Sequence, residues 1–383
     1  MKSAAKKPRR FLQRAVAILL PFGLGIVLGL VSAGCFDRLS SVLFRGKVYA
    51  VFPALILSLF LAFLLQIILH ETGHLVFGLM TGYRFSSFRI FRWMLLKTEA
   101  GLRWKRLSLT GTAGQCLMIP PRMKNGTVPV IAYNLGGVCL NLITAALFYG
   151  LSKLLPRNSF LSVFLLLLAF AGLGSGLLNG IPMHTAAVSN DGYNALSLGK
   201  DPAALSAFWC QMTVNAMNAA GVRLRDMPEE LFSMPPDDAM KNSMIAAQGV
   251  LAVSRMVDEH RFDRADAAAE HLLSLNSGMA GLHRSLLLCE RICYELTHEN
   301  RAGVLDTLLI GQQPFFRSMK SFPTVLRTQY LLQLLRDRDP KKAAETRKKF
   351  ESVARSYPYP CDIVLERELM ELGDACAASL NTL

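Results

Sequence analysis

Four stretches of this chain hold no Asp, Glu, Lys or Arg over lengths able to cross a bilayer: Ala15 to Phe36, Val48 to His70, Gly126 to Ser152 and Asn158 to Ser189. About 20 apolar helical residues span the hydrocarbon layer, and only closed backbone hydrogen bonding is tolerated there, so the pattern predicts four transmembrane helices. Hydrophobic residues make up 52% of the 383 positions, high for a soluble protein. The expected fold is mainly α: a polytopic membrane domain over residues 1–200 and a soluble helical domain over residues 201–383.

Charge divides along the same line. Residues 1–199 carry 20 Lys and Arg against four acids, Asp37, Glu71, Glu99 and Asp191, whereas residues 200–383 carry 22 against 24. The net charge of +14 therefore belongs to the membrane half. Its basic residues sit in short segments between apolar runs, where they orient helices in a bilayer, and no nucleic-acid motif accompanies them. Nucleic acid is accordingly not an expected partner. The N-terminus, with Lys2, Lys6, Lys7, Arg9, Arg10 and Arg14, and the segment from Arg84 to Lys124, with nine basic residues, are both expected in the cytosol. The second helix then runs from outside to inside. Ser32-Ala33-Gly34-Cys35 faintly resembles a lipoprotein processing box, which would make the first segment a cleaved signal; the second helix keeps its direction either way.

Eight cysteines are scattered without CxxC pairs, which argues against a disulfide framework or a cysteine zinc site. Between the second and third apolar stretches, Arg84 to Leu96 and Leu102 to Leu109 are rich in aromatic and branched residues and predict a short hairpin around Lys97 to Gly101. Gly172, Gly176 and Gly180 recur every four residues in the fourth helix, a spacing that admits a close helix neighbour. In the soluble half, Met244 to Met256, Arg264 to Leu275, Leu282 to Leu296, Val325 to Leu335 and Ala343 to Ala354 alternate apolar and charged positions at helical period. Asp201-Pro202 and Asp339-Pro340 each put a capping acid before a proline at a helix start. Such pairs suggest a tetratricopeptide-like array or a plain helical bundle. Cys289 and Cys293 share a helix face but are flanked by leucines and isoleucine, which marks them as core.

Residues 70 to 74 read His-Glu-Thr-Gly-His inside the second apolar helix. The i, i+4 spacing puts both imidazoles on one face, able to share a zinc ion, with Glu71 beside them to take a proton from an attacking water. Between Lys47 and Arg84 these three are the only charged or imidazole side chains, and a lone Glu inside a bilayer is costly without a function. A catalytic zinc needs a third protein ligand and an open position. Asp37 falls on the wrong side, Glu99 sits in the hairpin turn, and Cys116 and Cys139 are outside chances. His184 and Asp191 follow the fourth helix on the correct side. Gly192 after Asp191 lets the chain bend back, which favours Asp191 over His184.

The chain resembles the site-2 protease family of intramembrane zinc metalloproteases across residues 48–200. The HExxH motif is complete in His70 to His74. Gly137-Val138-Cys139-Leu140-Asn141 matches the family's middle-helix motif, in which Pro often stands in place of Val138, and Asn179-Gly180-Ile181-Pro182 followed by Asn190-Asp191-Gly192 matches its third. The spacing from Asn179 to Asp191 is longer than the family's, and Asn190 replaces a leucine. The resemblance implies His70, His74 and Asp191 as zinc ligands, Glu71 as catalytic acid and base, and Asn141 and Asn179 as holders of substrate backbone. It also implies a membrane-associated sheet after the first motif; independently, an edge strand of the 84–109 hairpin could pair with an extended substrate.

The expected function is a zinc-dependent endopeptidase, a membrane hydrolase that cuts a membrane-anchored protein or peptide near the cytosolic face, in regulated intramembrane proteolysis or peptide maturation. Two other classes stay open: a catalytically silent zinc-binding scaffold, and a small ion transporter that uses the histidines as an ion site. The helical half, without a second metal motif, is expected to present surfaces to a protein partner.

Overall fold

The computed structural model describes residues 6–40, 47–98, 101–108, 112–183 and 190–380. His184 and Glu99 lie outside the described residues. The chain forms two compact units, Met1–Arg84 with Thr127–Asp201 and Phe85–Gly126 with Pro202–Leu383.

The first unit holds α1 (Lys6–Arg38), α2 (Val48–Met80), α3 (Val130–Leu154), α4 (Phe160–Gly180) and the short α5 (Asp191–Leu198). Helices α1 to α4 are all long and apolar enough to cross a membrane. Cys35, Leu39, Val51, Leu55, Leu167 and Leu168 form a buried cluster joining α1, α2 and α4. Phe52, Ile56, Leu57 and Phe60 of α2 instead point outward, more than half exposed. A contiguous row of large apolar side chains is unfavourable against water and matches a lipid environment. Hydroxyls in these helices bond back to their own backbone, as Ser58 does to Ala54 O and Thr72 to Ile68 O at 2.7 Å each.

Two helix ends depart from the sequence-based limits. The charge-free stretch ends at His70, but α2 continues ten residues further to Met80, because the polar residues that end the stretch turn into the bundle. Conversely, α4 stops at Gly180, nine residues before Ser189. Pro182 pushes Ile181 into an extended conformation (φ −73°, ψ 120°) and breaks the helix there.

Glycine governs the packing of α2 on α3. A Cβ on Gly73 would lie 2.3 Å from Gly136 O, and one on Gly136 would lie 2.5 Å from Gly73 O. The two backbones touch, and no side chain fits between them. On α4, Gly172, Gly176 and Gly180 face Gln66, Leu142 and Val138.

The second unit combines a four-stranded sheet with the remaining helices. Strands β1 (Arg84–Ile90), β2 (Trp93–Thr98), β3 (Gly101–Arg106) and β4 (Gly114–Ile119) lie in the order β3-β2-β1-β4. The single hairpin expected from the sequence is thus the β2–β3 half of a larger sheet, pairing Trp93 with Arg106 and Thr98 with Gly101. The first expected segment splits into two antiparallel strands at Phe91, whose φ of 51° makes the tight turn. Arg89, 1% exposed, ties the sheet together by donating to Phe91 O at 2.6 Å and to the Thr112 hydroxyl at 2.5 Å. The sheet is fastened to the helices of its unit. Trp209 Nε1 donates to Pro121 O at 3.0 Å, and Arg106 N to Ser356 O at 2.9 Å.

Those helices are α6 (Pro202–Ala219), α7 (Ser243–Asp258), α8 (Phe262–Ser274), α9 (Gly281–Tyr294), α10 (Ala302–Leu309), α11 (Gln313–Ser318), α12 (Pro323–Leu331), α13 (Pro340–Ala354) and α14 (Pro360–Leu380). The predicted proline starts hold, and Asp339 accepts from Lys342 N at 3.0 Å as a helix cap. Consecutive helices from α6 to α9 pack on one another. Cys289 and Cys293 lie in the core.

Candidate metal centre

His70, Glu71 and His74 lie on α2, and all three are buried. One turn apart, His70 and His74 bring their Nε2 atoms to 3.2 Å. Asp191, first residue of α5, completes the group: its Oδ2 lies 2.9 Å from His70 Nε2 and 3.4 Å from His74 Nε2. The ligand-type atoms of the three residues all fall within 4.8 Å of one another, an arrangement able to hold a metal ion.

The far sides of both rings are tied down. His70 Nδ1 lies 2.6 Å from Asn141 Oδ1, and His74 Nδ1 lies 2.8 Å from Tyr133 O. A main-chain carbonyl only accepts, so His74 donates its Nδ1–H to Tyr133. The orientation of Asn141 is set in the same way: its Nδ2 donates to Gln66 O at 3.0 Å and to Gln66 Oε1 at 2.7 Å, so its Oδ1 must face His70 and accept. Gln66 is in turn anchored by donating to Leu168 O at 2.9 Å. Both Nε2 atoms therefore present lone pairs to Asp191, itself an acceptor. Three converging acceptors repel one another unless a cation or a shared proton lies among them, and hydrogen-bonded Nδ1 atoms are the usual outer support of metal-binding histidines.

Backbone shape makes room for this. A Cβ on Gly137 of α3 would lie 2.7 Å from both His70 Cε1 and His74 Nε2. A Cβ on Gly192 would lie 2.1 Å from Gly180 O, so the start of α5 sits directly against the end of α4. Asn190 locks that junction. Its Oδ1 accepts from Met183 N at 2.9 Å and Tyr193 N at 3.0 Å, and its Nδ2 donates to Leu178 O at 2.8 Å and Ile181 O at 2.6 Å. The residue that departs from the resembled motif is thus the cap that aims Asp191.

Of the other third-ligand candidates from the sequence, Cys116 lies in β4 of the other unit and Asp37 is exposed on α1. Asn141, expected to hold substrate backbone, is fully buried with both ends of its amide engaged, Oδ1 on His70 Nδ1 and Nδ2 on Gln66. Asn179 donates to Ser175 O at 3.0 Å within α4. It also borders an apolar groove of about 330 Å³ lined by Leu24, Phe63 and Leu178. Gln66, Tyr133 and Gly137 were not singled out as site residues from the sequence. Their partners are distant in the chain, and only Gly137 carried a signal, as the head of the middle-helix motif.

No known protein family, curated protein or solved structure matches this chain.

Proposed function

We propose that the chain is a zinc-dependent intramembrane endopeptidase. The observation that carries this is the convergence of His70 Nε2, His74 Nε2 and Asp191 Oδ2, with both imidazoles supported from behind. Two neutral imidazoles and one carboxylate form the donor set that suits zinc and leaves a fourth position open. A bound zinc ion would supply Lewis acidity and lower the pKa of water at that position.

Everything else is assigned to the chain's own residues. His70, His74 and Asp191 would hold the ion, and Asn141 and Tyr133 O fix the ring tautomers. Glu71, one residue from His70 and three from His74, takes the proton of the attacking water and returns it to the departing amine. The groove beside Asn179 suits an apolar substrate segment, and Asn179 supplies an amide for a carbonyl exposed by local unwinding. Helix rise places His70 about 33 Å along α2 from Val48, beyond the thickness of the hydrocarbon core. With the N-terminus, the 84–124 segment and the chain after Lys200 in the cytosol, cleavage falls at the cytosolic face of a membrane-anchored protein or peptide. The helical unit binds a protein partner.

The test is zinc content and cleavage of membrane-anchored substrates by the purified protein and Glu71→Gln. The variant is expected to keep zinc at wild-type stoichiometry and lose at least a hundredfold in turnover. Undiminished cleavage would remove Glu71 from the mechanism. Zinc without cleavage in the wild type would leave a scaffold, and absence of zinc would return the histidines to an ion pathway.

A further inference from the structure

The second unit contains a cleft of about 330 Å³ bounded by α6, α7, α9, α12 and α14. Its walls are largely apolar, from Val250, Leu286 and Leu287, while Glu290, Asp362 and Glu366 line it with carboxylates. Fully buried Arg327 serves two of these. Its Nε donates to Glu366 Oε2 at 2.8 Å and its Nη2 to Glu290 Oε1 at 2.7 Å. Asp362 forms no ion pair with a described residue; Asn218 Nδ2 donates to it at 2.9 Å. One cation thus faces three acids.

Two buried polar atoms of cleft-lining residues, Asn218 Oδ1 and His283 Nδ1, have no hydrogen-bond partner among the described residues. An orphaned buried acceptor is unfavourable, and a bound donor would satisfy it. Burial holds the His283 imidazole below its ordinary pKa, so it is neutral at pH 7 and able to accept. The cleft therefore offers an excess of acceptors and negative charge at the end of apolar walls. A metal ion is a poor match, because among the described residues only His70, His74 and Asp191 bring ligand atoms close enough together. An aliphatic stem ending in N–H donors fits both features.

We propose that this cleft binds a lysine side chain presented by a peptide segment of a partner protein, its ammonium held by Asp362 and Asn218 and its stem by the leucines of α9. The exposed Asn215 at the rim supplies an amide for the peptide backbone. This rests on the assignment of the helical unit as the partner-binding half, and it is independent of the metal centre.

The acid balance gives the site a pH signature. Burial, followed by the charge of Glu366 and Asp258, lifts the Asp362 carboxyl to about 7 against the opposing bond from Asn218. The other ionisable groups around the cleft are His283 and Glu290 on α9, Arg327 on α12, Glu366 on α14, Tyr357 and Tyr359 before α14, and Asp258 at the end of α7, which is paired with Arg223. Asp362 is neutral below its pKa and anionic above it, so cation binding strengthens as pH rises from 6 to 8.

The experiment uses the full chain in detergent and fluorescence anisotropy with a labelled Gly/Ser nonapeptide carrying one central lysine, compared with the same peptide carrying norleucine. At pH 8 the lysine peptide is expected to bind at least tenfold more tightly, and Asp362→Asn should erase that preference while zinc content stays at the wild-type level. Equal binding of the two wild-type pairs overturns the proposal without reference to any variant, as does a lysine preference that persists in Asp362→Asn. Butylamine that competes as well as the lysine peptide, mole for mole, would assign the cleft to a free amine and overturn peptide docking.

Discussion

Gly137 lies so close to both imidazoles of the candidate metal centre that no side chain fits between them. Gly137→Ala puts a methyl group 2.7 Å from His70 and His74, so a ring or the helix must move. The expected result is at least a tenfold loss of zinc affinity with an unchanged helical circular dichroism spectrum, measured by competition with a chelator. Wild-type affinity would mean that the rings have room the geometry denies them. Asn141→Leu tests the outer support, and a zinc affinity lower by about 10–100-fold is expected once His70 loses its acceptor. At this scale the sequence was legible where the chemistry is local. His70, Glu71 and His74 announce themselves by a five-residue spacing, whereas Asn141 reaches His70 across 71 positions and Gln66 across 75. An asparagine in a membrane helix signals a buried partner without saying which one.

Asp191 is the first residue of α5, and the Asn190 cap fixes where that carboxylate sits. Asn190→Ala removes a capping acceptor and two donated bonds to the end of α4. Loss of the cap alone costs about 1 kcal/mol, and a larger fall in zinc affinity is expected than from Ser159→Ala, which removes the cap of α4. Equal effects would show that α5 needs no aiming. In the same titration Asp191→Ala should lower zinc occupancy more than His184→Ala, because a carboxylate also balances the ion's charge. The apolar helices were readable as elements because composition alone forces them. Their ends were not: α2 outran its charge-free stretch because polar residues can face a bundle, and α4 fell short because Pro182 outweighs hydrophobicity. The sheet was only half legible, since the turn at Phe91 has no Gly, Asn or Asp to mark it.

At the scale of the molecule, charge asymmetry predicts that β3 and the helical unit lie in the cytosol. Arg103 is exposed on the edge strand β3, so Arg103→Cys is an accessible probe. It is expected to react with a membrane-impermeant maleimide only after the cells are opened; labelling from outside intact cells would invert the topology. A division at residue 200 follows from composition, but residues 85–126 group with the helices after Pro202. A chain stopped at Lys200 should therefore keep zinc while its 85–126 segment becomes sensitive to trypsin. Resistance equal to that of the full chain would make the sheet self-sufficient.

The bond from Arg106 N to Ser356 O has a consequence for biosynthesis. Its acceptor leaves the ribosome about 250 residues after its donor, on the order of tens of seconds at ordinary elongation rates. During that interval the strands wait without the helices that pack on them, while the third and fourth apolar helices are made. The packing of the sheet against its helices is then completed last, by a late part of the chain returning to a segment made far earlier, so ribosome pausing or early release should harm this segment before it harms the His70–His74–Asp191 cluster.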